Sequence, residues 1–218
     1  AVQQLGAEVI LHGDIYDDAF QYANKLCSEQ GLNFIHPYDD IDVIAGQATV
    51  AKEILSQLGE VDFVFVPVGG GGLISGISSY IKHYAPKVKV IGVEPIDSAT
   101  LHNALEGNER VVLEDVGRFA DGVAVKQIGE LPFEIAKKCV DDVVLVSNDE
   151  ICAAIKDIYE DVRAVSEPAG ALATAGVKKY ILEHELKNKN IASVVSGANV
   201  NFDRLRYIAE RADLGELT

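Results

Sequence analysis

The sequence predicts an α/β fold in which a mostly parallel sheet carries helices on both faces. Three observations lead there. Strand-like and helix-like segments alternate along the chain. The run "VDFVFVPV", then "GGGGLISGISSYIKHY", then "KVKVIGVEP" reads as strand, turn, helix and strand, a βαβ unit whose strands run parallel. The segment "NIASVVSGAN" adds a last buried strand that ends in small polar residues.

The elements follow in order. "AVQQLG" reads as the last turn of a helix closed by Gly6, and a strand follows at about Glu8–Leu11. "YDDAFQYANKLCSEQG" places Ala19, Tyr22, Ala23 and Leu26 at helical spacing and stops at Gly31. "NFIHP" is a short strand. In "VIAGQATVAKEILSQLG", Ala48, Ala51, Ile54, Leu55 and Leu58 share one side of a second helix. Beyond the βαβ unit, "DDVVLVS" is a strand. "DEICAAIKDIYEDVR" is a helix whose Asp149 and Glu150 suit its positive end. "EPAGALATAGVKKYILEHEL" is another, with Pro168 near its first turn. No internal repeat or low-complexity tract interrupts the pattern.

Composition narrows the function. A formal net charge of −15 on 218 residues, with no cluster of Lys and Arg, argues against a nucleic-acid partner and for a small molecule. No apolar run approaches the roughly 18 residues of a membrane span. The three cysteines, Cys27, Cys139 and Cys152, lack CxxC spacing and read as reduced thiols in a cytoplasmic setting. The sequence contains no Met and opens inside an element, so a piece of a longer protein is expected.

In open parallel sheets, ligands sit beyond the carboxyl ends of the strands. Three such ends carry unusual residues: Gly69–Gly72, Glu94 with Pro95, and Ser196–Asn199. Four glycines let a ligand approach backbone N–H groups, and the helix behind them offers unpaired donors, so the loop reads as a phosphate cradle that needs no basic side chain. No Lys-Ser or Lys-Thr pair follows, which excludes a Walker loop. A dinucleotide turn stays open, because Gly70, Gly72 and Ser75 nearly fit G-x-G-x-x-G/A and Glu94 stands about where a ribose-binding acid belongs. The plainer reading of Glu94 is a solvated carboxylate, and the acidic runs at Asp39, Asp40 and Asp42 and at Glu160 and Asp161 read as solvated faces. The five histidines are scattered, so no transition-metal site is expected. No G-x-S-x-G elbow occurs.

Five segments in order, "IAGQATVAKEIL", "VPVGGGGLISG", "FADGVAV", "DVRAVSEPAGALA" and "SGANVNFDRLRYIAER", resemble the biosynthetic threonine dehydratases. These are pyridoxal-phosphate enzymes of the tryptophan-synthase-β-like fold, fold type II. The resemblance runs nearly end to end. It implies pyridoxal 5′-phosphate as cofactor, with Gly69, Gly70, Gly71, Gly72 and Leu73 holding its phosphate through backbone N–H groups. It implies that the Ser196 hydroxyl bonds the pyridine nitrogen and that Gly122 lines the pocket. The implied reaction dehydrates and deaminates an amino acid, L-threonine, to 2-oxobutanoate and ammonia in isoleucine biosynthesis. By resemblance, residues 1–36 end a small domain and 37–218 form most of a large cofactor-binding domain.

The pattern also departs from the family. Its Ser-Phe-Lys-x-Arg-Gly-Ala motif, which carries the lysine that anchors the cofactor, and its Ser-x-Gly-Asn-His motif occur nowhere in these residues. No catalytic residue is therefore assigned, Lys126 is expected to be exposed, and the stretch by itself is expected to be inactive. Glu94 falls where the related serine racemases place a cation ligand, but Ser98 and Thr100 do not supply the acidic partner. A homo-oligomer is expected. The rival readings are a serine/threonine dehydratase or serine racemase of the same fold, a non-catalytic binding protein, and a dinucleotide-dependent dehydrogenase.

Overall fold

The structure is a computed structural model and describes residues 2–13 and 16–215. The chain divides into two compact units, Ala1–Ile35 and His36–Thr218.

In the first unit, a short 3-10 turn over Val2–Leu5 is closed by Gly6, whose φ of +89° puts it in the left-handed region that glycine adopts at little cost. Helix α1 spans Tyr16–Gln30 and ends at Gly31, also left-handed at φ +68°. The strand expected at Glu8–Leu11 does not form, and neither does the one at "NFIHP". A strand needs a neighbour to pair its N–H and C=O groups, and among the described residues neither segment has one. Ile10 and Leu11 are accordingly exposed, at 53% and 92%.

The second unit is built on a four-stranded parallel sheet, β1 (Phe63–Pro67), β2 (Lys89–Pro95), β3 (Asp142–Val146) and β4 (Ile191–Ser193), in the spatial order β3-β2-β1-β4. The helices are α2 (Ile41–Leu58), α3 (Gly72–Tyr84), α4 (Thr100–Gly107), α5 (Glu130–Cys139), α6 (Asn148–Val162), α7 (Pro168–Glu183) and α8 (Arg204–Gly215). Successive strand residues point to opposite faces, and the core divides accordingly. Phe65, Ile91 and Val93 pack with Ile151, Leu172 and Ile208 of α6, α7 and α8. Val64, Val66 and Val90 pack with Ile74, Ile77 and Ile81 of α3 and with Phe133 of α5. This is the expected α/β fold with both faces covered. The last strand is shorter than its sequence suggests: β4 holds only Ile191–Ser193, with Ala192 buried and Val195 left 49% exposed.

Local chemistry explains where the helices begin. Asp40 accepts from the N–H groups of Asp42 and Val43 and so starts α2. Ser147 and Glu150 form a reciprocal capping box at the start of α6. Helices α4, α5 and α8 were not read from the sequence: α4 and α5 are short, at 8 and 10 residues, and α8 is rich in charge. Cys27, Cys139 and Cys152 are free, and burial pushes the Cys152 thiol up to about 12, which keeps it protonated and unreactive.

Helices α2 and α3 touch backbone to backbone at Gly76. A Cβ there would lie 2.5 Å from the Ile44 carbonyl oxygen and 2.6 Å from the Ala48 nitrogen. Helix propensity alone favours Gly76→Ala by up to about 1 kcal/mol. The collision is with rigid backbone, so overpacking decides the sign, and Gly76→Ala should destabilise the fold by about 1–3 kcal/mol. Denaturant unfolding of variant and wild type checks this, and a variant as stable as wild type would refute the close-contact account.

Candidate functional site

The glycines connect the end of β1 to the start of α3, and each is walled by another part of the unit. A Cβ on Gly69 would lie 2.8 Å from Val123 Cα, and one on Gly70 would collide with the Tyr38 ring carbons Cγ and Cδ1. Gly71, left-handed at φ +91°, would meet Pro132 at 2.7 Å, and Gly72 would meet Tyr38 Cβ at 2.9 Å. Close packing therefore accounts for all four glycines before any ligand is invoked.

The donors are what packing leaves unexplained. No N–H from Gly69 to Ile74 reaches an acceptor among the described residues, although Gly71, Gly72 and Ile74 are buried. Buried backbone donors are rarely left without a partner. The N-cap of α3 is Gly71, which has no side chain to serve them. Three other helices beginning at this end are served by the chain itself, α4 by Glu94, α5 by Asp39 and α6 by Ser147, while α7 opens on Pro168, which has no N–H, and leaves the Ala169 and Gly170 N–H groups without an acceptor among the described residues. Neighbouring unpaired N–H groups and the positive end of α3 suit an anion such as a phosphate group.

A chain of contacts links this loop to the other expected site residues. Val123, against Gly69, adjoins Gly122, where a Cβ would lie 2.9 Å from Ala169 Cβ and 3.3 Å from Glu167 Oε1. Glu167 then reaches the last segment: its Oε2 accepts from Asn199 N–H at 2.7 Å, and its carboxylate crowds Gly197. Ser196, one residue before Gly197, is exposed, and its hydroxyl has no partner among the described residues. Gly69–Leu73, Gly122 and Ser196 thus belong to one contiguous rim. Arg204 braces its middle, donating from Nη2 to the Phe119 carbonyl at 2.7 Å with its guanidinium over the Phe119 ring.

Glu94 departs from both sequence readings. It is fully buried, so it is neither a solvated carboxylate nor free to meet a ribose. Its Oε1 accepts from Leu101 N–H at 2.8 Å and its Oε2 from His102 N–H at 2.8 Å, which caps α4. Thr100 Oγ1 lies 3.1 Å from Glu94 Oε1 and 3.1 Å from the Gly69 carbonyl oxygen. Burial pushes the carboxyl up to about 7, against the N–H and hydroxyl bonds that pull it down. The Thr100 hydroxyl is thus shared between the Glu94 carboxyl and the Gly69 carbonyl, the two oxygens within its reach.

Other expectations change in detail. Asp39 is not merely solvated: its two carboxylate oxygens accept from Glu130 and Leu131 N–H groups at 2.8 and 2.9 Å. Lys126 is half-buried, with its ammonium donating to the Glu114 carbonyl at 2.9 Å. Tyr38, Glu167 and Arg204 were not singled out from the sequence, and Thr100 was considered only as a missing acidic partner for Glu94. Glu167 before Pro168 carries a helix-start signal, whereas Tyr38 lies far from Gly70 in sequence and carries none.

With this geometry in place, similarity to known proteins is informative. Residues 1–197 match the family model described as pyridoxal-phosphate dependent enzyme. The chain is 51% identical over 216 residues to the biosynthetic L-threonine dehydratase of Pasteurella multocida, covering 99% of this chain and 42% of that protein. It is 55% identical over 218 residues to the mitochondrial threonine dehydratase of Schizosaccharomyces pombe, covering 98% and 36%. The chain therefore spans well under half the length of these relatives. Among solved structures, the processed form of threonine deaminase isoform 2 from Solanum lycopersicum superposes with a TM-score of 0.94 at 45% identity, over 98% of this chain and 59% of that one.

The buried Glu94 gives a pH test. Its folded value of about 7 lies above its ordinary 4.5, so folding favours the protonated form. The stability it contributes is fully present below about pH 4.5 and is lost as pH rises through about 7. Glu94→Gln removes this titration. Relative to that variant, wild type should lose stability between these limits with a slope approaching about 1.4 kcal/mol per pH unit. Unfolding midpoints measured across the range check this, and parallel profiles would refute it.

Proposed function

The chain belongs to the pyridoxal-phosphate dependent enzymes, and from that premise we propose that it forms the cofactor-binding part of a threonine dehydratase. The proposed overall reaction takes L-threonine to 2-oxobutanoate and ammonia, the deamination that feeds isoleucine biosynthesis. The single observation that carries the reading is the set of unpaired N–H groups from Gly69 to Ile74, at the same end of the sheet as Ser196. The names of the relatives, together with the extent of the match, favour threonine dehydration over other reactions on this fold.

Each residue's part follows from its chemistry. The backbone N–H groups of Gly69, Gly70, Gly71, Gly72 and Leu73 would hold the phosphate, with the positive end of α3 behind them. Gly122 would line the pocket, where any larger side chain would strike Ala169. The Ser196 hydroxyl would donate to the pyridine nitrogen. When bound, pyridoxal 5′-phosphate supplies an electron-withdrawing ring that acidifies the substrate Cα–H. A neutral hydroxyl partner cannot hold a proton on the ring nitrogen as a carboxylate would, which tempers that withdrawal and suits prompt loss of a β-hydroxyl. Glu167 accepts from Asn199 N–H through Oε2, which fixes the backbone beyond Ser196. The lysine motif of the family is absent from these residues, so the reading assigns them cofactor binding rather than proton transfer.

A cytoplasmic homo-oligomer acting on a small amino acid completes the proposal. The free thiols accord with a reducing compartment, and no described helix is long and apolar enough to cross a membrane.

The full-length gene product should bind pyridoxal 5′-phosphate and release 2-oxoacid from L-threonine faster than from L-serine. A serine racemase would instead form D-serine, and a non-catalytic protein would release no 2-oxoacid, so either result would refute the reading. Ser196→Asp should keep cofactor affinity within about tenfold while lowering threonine turnover by at least about tenfold, because it protonates the ring nitrogen. Single-turnover measurements with the cofactor-loaded protein check this.

A further inference from the structure

The ring of Tyr38 lies where a side chain at Gly70 would have to be, and its Cβ presses on Gly72. The segment that carries it is pinned on both sides. His36 Nδ1 accepts from the N–H groups of Tyr38 and Asp39, at 3.3 and 2.9 Å, and the His36 ring meets the Tyr38 ring edge-on at 4.6 Å. Burial holds His36 below the ordinary histidine range, against the pull of Asp39 and Asp40, which favours the neutral ring that can accept at Nδ1. On the other side, Asp39 bonds the first N–H groups of α5, and Gly129, just before that helix, donates to the Gly70 carbonyl at 3.1 Å. The loop therefore has one wall from Tyr38 and one tie from Gly129, both fixed through Asp39.

We propose that Tyr38 is a positioning residue for the phosphate group: its ring, held by His36 and Asp39, fixes the glycine loop in the conformation that converges its N–H groups. Four glycines in a row have no side chains with which to hold a conformation, and Gly71 is left-handed. Something outside the loop must restrict it, and the ring occupies the volume that a residue with a side chain would have filled for itself. A preorganised set of donors binds an anion more tightly than one that must be ordered on binding. Tyr38 acts through Gly70 and Gly72, so it should matter to a ligand only to the extent that the ligand carries phosphate.

This rests on the cofactor reading, and the test separates the two. The full-length protein is titrated with pyridoxal 5′-phosphate and with pyridoxal, and the ratio of the two dissociation constants measures the phosphate's contribution. Tyr38→Ala should lower that ratio at least about tenfold by weakening the phosphate ester while leaving pyridoxal affinity unchanged, and should shift the ³¹P resonance of the bound ester. His36→Ala, which removes the peg without touching a glycine, should follow in the same direction. Tyr38→Phe, which keeps the ring, should restore the wild-type ratio. If Tyr38→Ala fails to fold, Tyr38→Leu gives the same reading with a smaller cavity. An unchanged ratio, or equal loss of both affinities, would overturn the role of Tyr38. A wild-type protein that binds the phosphate ester no better than pyridoxal would overturn the phosphate reading itself.

Discussion

The unmet hydrogen-bonding demand at the start of α3 is the constraint around which the second unit is arranged. A parallel sheet sends every strand-to-helix turn to the same end, so several helix N-termini, each with unpaired donors and partial positive charge, crowd together. Most are answered from within: Glu94, Asp39 and Ser147 each place an oxygen on the first N–H groups of a neighbouring helix. Helix α3 is not, because its cap is Gly71. A serine or aspartate there would meet the left-handed φ of +91° and the wall at Pro132, so the local geometry excludes the residues that would close the site. What stays open is a set of backbone donors with no cationic side chain beside them among the described residues, on a chain of net charge −15. Attraction for an anion must then come from short-range dipoles rather than from the field of the whole molecule.

The neighbouring strand end shows the opposite solution. Glu94 lies near the end of β2, whereas the glycines come just after β1, and its carboxyl turns inward to α4 and is fully buried. Burying it is costly, and bonds from Leu101, His102 and Thr100 offset that cost. Thr100 makes this buried network part of the site, because the same hydroxyl reaches the Gly69 carbonyl. The dinucleotide reading fails here on geometry: its acidic residue is present at the right spacing but faces the wrong way.

Much of the fold was legible because it depends on local pattern. The βαβ unit from Phe63 to Pro95 is periodic, β-branched and punctuated by glycine, and each of those signals is a property of neighbouring residues. Strands at Glu8–Leu11 and Asn33–Pro37 were misread for the complementary reason. Their composition favours extended backbone, but ladder bonds require a partner that the local sequence does not encode. At the site, the glycine loop stood out, whereas its walls did not. Tyr38 reaches Gly70, and Asp39 reaches Leu131, across 92 positions in the latter case, and only the folded topology creates those contacts. Glu94 was noticed for its spacing, but spacing does not report whether a carboxylate faces solvent or a helix.

The division between what binds and what positions follows from these facts. Every group offered to the proposed cofactor is neutral: backbone N–H at one end of the rim and a serine hydroxyl at the other. The charged groups nearby are committed elsewhere, Glu167 to Asn199 N–H, Asp39 to α5 and Arg204 to the Phe119 carbonyl. Neutral donors lose little when removed from water compared with ions, so they can be held in a packed setting without the large penalty of burying a charge. Their weakness as individual contacts is overcome only if several converge without having to be ordered by the ligand. The charged residues of the rim therefore serve the site by fixing backbone, and the chemistry they would impose directly on a bound ring is withheld from it.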